Sequence, residues 1–390
     1  MKTSEQAPVR VLLAHNAYQQ RGGEDMVVEA EAALLRQHGH AVELLTRHND
    51  ELAGMGRGAA ALDTLWSRRT ARELRERIEA FRPDVVHVHN TFPLISPSIY
   101  WAAAAAGVPV VQTLHNFRLA CPQAMFLRDG KVCEDCMARA PLPAIRHGCY
   151  RGSRAQTGVL AGMLVLHRAL GTWQHKVTRY IALNSFCRDK FIEAGLPAER
   201  IVIKPNFVEA PAPGADAPRD GFLFVGRLSH EKGVSTLAEA WRHGGVNVRL
   251  AVAGSGPSAD LLKNLPGVDM LGALPLAQVQ QRMASAAALV LPSIWYENFP
   301  RTLVEALGAG LPVIASRIGA LASLVSEGRT GLLFEPGNAA DLADKLAWAA
   351  AHPREMASMG RHARADYEAQ FTPERNLAQL LDIYAEARRS

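Results

Sequence analysis

The chain has no long hydrophobic run. The apolar stretch Val159 to Leu166 is only eight residues, well short of the roughly 20 that a helix needs to cross a bilayer. No apolar leader follows Met1-Lys2-Thr3-Ser4-Glu5, so a secretory signal is not expected. Cysteine is sparse, five in 390 residues. Without a signal, that usage points to a reducing compartment and away from a disulfide framework. No repeat of roughly 20–50 residues is visible, which sets aside solenoids and propellers. Acidic residues are missing from the whole of Ser153 to Tyr180. The expectation is a cytoplasmic protein.

What is there is ordinary for a soluble globular protein: 48% hydrophobic and 21% charged residues. The length of 390 residues suits two or three domains, each large enough to bury its own core. The net charge of +5 is uneven, because Arg139 to Lys190 holds nine Lys/Arg against one acid, Asp189.

Apolar strand-length runs alternate with helical periodicity along the chain, the pattern of a doubly wound α/β fold. Strands are predicted at Arg10–His15, Ala41–Leu45, Asp84–His89, Val108–Leu114, Ile181–Ser185 and Ile201–Lys204. A glycine turn, Arg21-Gly22-Gly23-Glu24, precedes a helix to about Gln37. The Pro/Ala/Gly-rich segment Glu209–Asp220 reads as a linker. The pattern then restarts, with strands at Gly221–Gly226, Val248–Ala253, Asp269–Leu271, Ala288–Leu291, Val313–Ala315 and Gly331–Phe334, and a helical tail from Pro353. Two Rossmann-like domains facing across a cleft are expected: 1–208 with an insertion at 116–152, the linker 209–220, then 221–370. A last helix at 371–390 is placed to return to the first domain.

Chemistry concentrates in two stretches. Val225-Gly-Arg227-Leu-Ser-His-Glu-Lys232-Gly233 puts two cations after an apolar strand, where they suit a diphosphate. Pro292-Ser-Ile-Trp-Tyr-Glu297-Asn-Phe-Pro-Arg-Thr-Leu-Val-Glu305 sets two carboxylates eight positions apart around a helix start. Carboxylates accept hydrogen bonds from sugar hydroxyls, and the helix N-terminus offers free N–H groups to phosphate. A nucleotide sugar carries both chemistries. Solvated cations at a surface strand end, and an exposed helix with two acids, are the plainer readings.

These stretches, with Ala253-Gly-Ser-Gly-Pro257, Leu271-Gly-Ala273, Ala309-Gly-Leu-Pro-Val313, Gly22-Gly23-x-Asp25 and Thr113-Leu-His115-Asn116, resemble the retaining glycosyltransferases of family four, of bacterial cell-surface polysaccharide type, with the GT-B fold. The resemblance spans nearly the whole chain and is strongest from Gly221 to Pro336. It implies catalytic roles for His115, Glu297, Arg227 and Lys232. It implies donor contacts from Gly22, Gly23, Arg227, Lys232, Glu297, Asn298, Phe299, Leu303 and Glu305, with Glu305 on the ribose and Glu297 on the transferred sugar. Pro300, read as the helix's first residue, stands where many relatives carry Gly and removes one backbone donor. A turn or a core histidine remains open for Gly22-Gly23 and His115, and a structural role for Asn206 at the hinge. The resemblance implies no catalytic cofactor, a UDP or GDP sugar donor, retention by front-face attack, and a saccharide or lipid-linked saccharide acceptor.

The insertion at 116–152 holds Cys121, Cys133, Cys136 and Cys149. A C-x-x-C pair with two flanking cysteines can wrap one structural Zn²⁺, although zinc ribbons usually carry two such pairs; free thiols are the alternative. Losing such a metal is expected to weaken the first domain and spare the donor motifs beyond the linker. Cys187 reads as core. The acid-free run Ser153–Tyr180 joins apolar residues to Arg151, Arg154, Arg168, Lys176 and Arg179, which suits an anionic membrane surface or simply a packed helix with a solvated face. Two other functions stay open: a sugar-nucleotide epimerase on the same fold, and a zinc-containing nucleic-acid-binding protein. The acidic remainder of the chain argues against a nucleic-acid partner.

Overall fold

The computed structural model describes residues 7–210, 219–243 and 248–389. Most of the expected linker therefore lies outside the described residues.

The first half carries β1 (Arg10–Ala17), β2 (Ala41–His48), β3 (Val85–Asn90) and β4 (Val110–Thr113). A small hairpin follows, β5 (Leu127–Arg128) and β6 (Lys131–Val132), and then β7 (Arg179–Ala182) and β8 (Ile201–Ile203). Six of these form one parallel sheet in the order β2-β1-β3-β4-β7-β8. The second half carries β9 (Phe222–Val225), β10 (Leu250–Ala253), β11 (Val268–Gly272), β12 (Ala288–Leu291), β13 (Val313–Ser316) and β14 (Gly331–Phe334). They form a second parallel sheet, β11-β10-β9-β12-β13-β14. Both have the expected class: parallel strands, covered by helices on both faces, read as continuous apolar runs. Every residue of β3, β12, β13 and β14 is buried.

Each sheet supports two apolar layers. Leu12, Val86 and Val88 pack with Trp173 and Tyr180 on one face of the first sheet, and Val11, Leu13 and Val85 pack on the other. The helix Pro373–Arg389 closes that second face with Leu377, Leu380, Ile383 and Tyr384. The chain's last helix therefore crosses back, and the Tyr384 hydroxyl lies 2.7 Å from His87 Nδ1 on β3.

Ligands of such sheets bind at the C-terminal strand ends, and there the halves touch. The Asn184 side chain caps the helix Ser185–Glu193 and also donates to the Asn298 carbonyl at 2.6 Å. Phe186 meets Tyr296 edge-on at 4.8 Å between ring centroids.

Candidate active site

The turn after β9 is shaped by close backbone approach. Gly233 has φ +70°, and a Cβ there would lie 1.7 Å from the Pro292 carbonyl oxygen. Gly254, at φ +153°, would put a Cβ 1.9 Å from the Gly226 oxygen. Only glycine allows these loops to stack.

On this scaffold Lys232 and Glu297 come together across 65 residues, Nζ to Oε1 at 2.9 Å. Glu297 is only 7% exposed and also accepts from the Ser293 hydroxyl. Arg227 does not join them. Its side chain is 65% exposed and bonds Glu231, which the Ser229 hydroxyl also reaches at 2.7 Å. Glu305 keeps apart from Glu297 and accepts from Arg301 Nε at 2.8 Å. Arg227, Lys232, Glu297 and Glu305 thus each have a charged partner before any ligand arrives. The sequence reading missed those partners: Glu231 stands four residues after Arg227, and Arg301 four before Glu305, both ordinary helical pair spacings.

The helix spans Arg301–Gly308, and Pro300 stands one position before it as the cap, not as its first residue. The Leu303 and Val304 amides bond back to the Pro300 carbonyl. The two preceding amides, of Arg301 and Thr302, belong to the open N-terminal turn. Leu303 and Val304 are buried, and Phe299 packs at the core's edge. Asn298 has a buried side-chain amide with both Oδ1 and Nδ2 unpartnered. Buried amides are normally satisfied, so this one is an unmet handle beside Glu297. Cys187 is fully buried as expected, but its thiol also donates to the Asn298 carbonyl at 3.2 Å.

On the first domain, Gly22 caps the helix Gly23–Gln37 in extended backbone, φ −114°. That conformation does not require glycine, and a Cβ on Gly23 would meet nothing within 4 Å. Neither the backbone nor the packing around the pair therefore calls for glycine. Asp25 fixes the turn by accepting from the Gly22 amide at 2.7 Å and contacting His15 Nε2 at 2.8 Å. Beside it lies a residue the sequence reading left as the variable position. Glu24 Oε2 accepts from the Tyr18 hydroxyl at 2.8 Å, while its Oε1 is buried and unpartnered. Burial pushes the Glu24 carboxyl up to about 7.

His115 follows β4 and lines a pocket with His89, Asn116 and Arg118. Its Nε2 lies 2.8 Å from His89 Nδ1. Burial, and then His89, hold its imidazole well below the ordinary histidine range, so it is neutral. Asn206 is buried with its Oδ1 unpartnered.

Cys121, Cys133, Cys136 and Cys149 line one cavity of about 20 Å³, room for a single water-sized particle. Burial pushes the Cys133, Cys136 and Cys149 thiols up, Cys136 to about 11. Four soft sulfur donors suit zinc. Among the described residues, however, the group whose ligand atoms lie within 4.8 Å of one another is Glu31, His87 and His89. The thiols therefore surround their cavity more widely than a bound ion would impose. Although the linker separates them in sequence, the insertion touches the second domain. A Cβ on Gly130, at the hairpin tip, would be 2.6 Å from His230 Nε2, and Lys190 bonds Glu134 at 2.9 Å beneath Tyr296.

The basic stretch is less free than its sequence suggests. Arg168 donates to the Arg139 and Leu119 carbonyls at 2.8 and 3.0 Å, and Arg179 pairs with Glu386. Arg139, Arg146, Arg151 and Arg154 are exposed. So are Leu142, Val165, Leu166 and Leu170 nearby. No helix among the described residues is long and apolar enough to cross a membrane.

Known proteins supply the context. The family model described as Glycosyl transferases group 1 matches residues 209–366, and the Glycosyl transferase 4-like domain matches residues 22–206. Glycogen synthase of Mycobacterium tuberculosis (strain CDC 1551 / Oshkosh) is 27% identical over 327 residues, 80% of this chain and 70% of that one. D-inositol 3-phosphate glycosyltransferase of Pseudarthrobacter chlorophenolicus is 28% identical over 325 residues, 75% of this chain and 68% of that one. Among solved structures, Anabaena Alr3699/HepE in complex with UDP matches with a TM-score of 0.68 at 19% identity, over 96% of this chain and 99% of that one. HepE is also known in complex with UDP-glucose. At that identity the likeness speaks for the fold alone. Glycosyltransferases of this type typically need no cofactor for catalysis. With two glycosyltransferase models spanning the two sheets, the chain belongs to the family-four glycosyltransferases of GT-B fold, which draw on nucleotide-sugar donors.

Proposed function

We propose that this enzyme moves a hexose, with retention at the anomeric carbon, from a UDP or GDP sugar to a saccharide or lipid-linked saccharide in cell-surface polysaccharide synthesis. The observation that carries the reading is the Lys232–Glu297 contact at 2.9 Å beside the unpartnered Asn298 amide. It supports a site where a cation for the diphosphate adjoins a carboxylate and an amide for sugar hydroxyls. In this reading Arg227 and Lys232 take up charge growing on the leaving phosphate. Glu305 holds the ribose, Glu297, Asn298 and His115 hold the transferred sugar, and Gly22-Gly23 admit the diphosphate. The leaving phosphate helps to remove the acceptor's proton, with attack on the same face. Uridine is the first base to test, since HepE is known with UDP and UDP-glucose.

Exposed leucines among exposed arginines support a peripheral seat on the cytoplasmic face of an anionic membrane, within reach of a lipid-linked acceptor. Cys121, Cys133, Cys136 and Cys149 would hold a structural Zn²⁺ that staples the insertion. A thermal-shift panel of UDP, GDP and their hexoses tests the donor. At 100-fold excess over Kd the true nucleotide should add about 2.7 kcal/mol. The anomeric configuration of the product, read by NMR, tests retention. A panel in which neither diphosphate stabilises the protein would sink the reading.

A further inference from the structure

Behind His115 lies a chain of buried polar groups that binds no donor. Glu31, on the helix Gly23–Gln37, is 1% exposed, and Lys204, just after β8, is fully buried. Lys204 Nζ lies 3.2 Å from Glu31 Oε2. Glu31 Oε1 lies 3.1 Å from His87 Nδ1 and 3.4 Å from His89 Nε2. His89 Nδ1 in turn lies 2.8 Å from His115 Nε2. Taking two charges out of water is expensive, and an apolar pair would often be at least as stable. The pair's geometry suggests what it does instead.

We infer that the Glu31–Lys204 pair sets the tautomer of His115 through His89, presenting a bare His115 Nδ1 to the donor sugar. The inference rests on the proposed placement of His115 at that sugar. An ionised carboxylate only accepts hydrogen bonds. Burial would push the Glu31 carboxyl up, but Lys204, followed by His87, holds it well below the usual carboxylate range. At 3.4 Å the anionic oxygen makes no hydrogen bond to His89 Nε2, and both atoms are otherwise unpartnered, so it is the charge that draws the His89 proton to Nε2. Burial, and then His87, push the His89 imidazole down to about 3. It is neutral, so one N–H is all it has, and Nδ1 is left bare. Two bare nitrogens at 2.8 Å would repel, so His115 must carry its own proton on Nε2 and donate it to His89. That leaves His115 Nδ1 as an acceptor with no hydrogen bond among the described residues. The ligand group it takes is a sugar hydroxyl, donated by the substrate. A deoxy sugar lacking that hydroxyl would leave the site unpaired.

The same three side chains, Glu31, His87 and His89, lie close enough to suggest a metal site. Lys204 argues against it. A buried ammonium 3.2 Å from the carboxylate already supplies the cation, and a divalent ion would face its repulsion. Glu31 and Lys204 are positioning residues that act through His89, and His89, although it lines the same pocket, is a positioning residue because it acts on the sugar through His115.

Two-bond ¹H–¹⁵N correlation spectra of histidine-labelled protein at neutral pH read each tautomer directly. The expected result is His89 and His115 both protonated on Nε2 and neutral. A wild-type spectrum with His115 protonated on Nδ1, or on both nitrogens, overturns the inference. The double variant Glu31→Gln with Lys204→Met removes both charges together and keeps the volume. It should turn His115 into a mixture of tautomers and lower kcat by at least about tenfold, as lost orienting partners do. Its Kd for UDP should stay within about twofold. An unchanged tautomer in a folded double variant also overturns the inference. Because the wild-type spectrum decides alone, a variant that fails to fold leaves the test intact. The tautomer is read without turnover, so a failed glycosyl-transfer assay is a separate outcome.

Discussion

Replacing Lys232 by alanine should damage catalysis and folding at once, whereas replacing Arg227 should damage catalysis alone. The difference comes from the cations, not their partners: Glu231 and Glu297 are both buried, 8% and 7% exposed, and each keeps a serine hydroxyl, from Ser229 and Ser293. The Arg227 side chain is 65% exposed, so water already screens its pair with Glu231 and can take its place. The Lys232 side chain is 25% exposed, and its loss leaves Glu297 without a cation in a drier place. Stranding a buried polar group costs about 1–3 kcal/mol, and more when it is charged. At about 2–4 °C per kcal/mol for a domain of this size, Lys232→Ala should melt several degrees below wild type, and Arg227→Ala close to it. Each should lose roughly 2.7–4 kcal/mol of transition-state stabilisation, a fall of about 10²–10³ in kcat, as removal of an oxyanion donor does. The double variant Lys232→Ala with Glu297→Gln removes the stranded charge. It should recover most of the melting temperature and none of the turnover. Calorimetry with initial rates at saturating donor measures both. Wild-type turnover in Lys232→Ala, or a double variant no more stable than the single, would refute the reasoning.

Glu305→Gln should weaken binding of bare UDP while Glu297→Gln spares it and lowers kcat; equal losses by isothermal titration would show that the two carboxylates do not divide ribose from sugar. Glu24 titrates near 4.5 unfolded and about 7 folded, so its contribution to stability is complete below pH 4.5 and lost as pH rises through 7. Glu24→Gln should therefore raise the melting temperature at pH 8 by the equivalent of at most about 3 kcal/mol and have little effect at pH 4.5; equal effects at both pH values would show that the carboxyl does not titrate there. Protein prepared without added metal should carry one zinc per chain by elemental analysis, and chelation should lower both the melting temperature and the UDP affinity, because the insertion's hairpin rests on His230; a zinc-free preparation would leave the thiols as core.

The strands were legible because a parallel strand covered on both faces needs no partner to announce itself. Val85-Val86-His87-Val88-His89 is apolar enough to read as buried, and its two histidines change nothing in that pattern. The hairpin Leu127–Val132 escaped for the opposite reason. Its strands are two residues each, too short to alternate. Yet Asp129-Gly130, both at positive φ, is a strong local turn signal. What no local pattern holds is its seat against His230, 100 residues on.

The site divides in the same way. Arg227, Lys232, Glu297 and Glu305 could be singled out because each stands at a strand end or helix start, where ligands of such sheets bind. The partners of Arg227 and Glu305 stood four residues away and still went unread, because an ordinary i, i+4 pair and a ligand site look alike in sequence, and Lys232 meets Glu297 only across 65 residues. The groups behind His115 are harder. Lys204 ends a strand-like run and resembles any solvated lysine, and Glu31 falls on a helix with other acids nearby. Their contact spans 173 residues and exists because Glu31, on the first helix, reaches both His87 of β3 and the lysine that follows β8. A charge pair becomes chemically informative only when its surroundings are known. In water these residues would be two ordinary ions, and buried beside His89 they become a fixed dipole that decides where one proton sits.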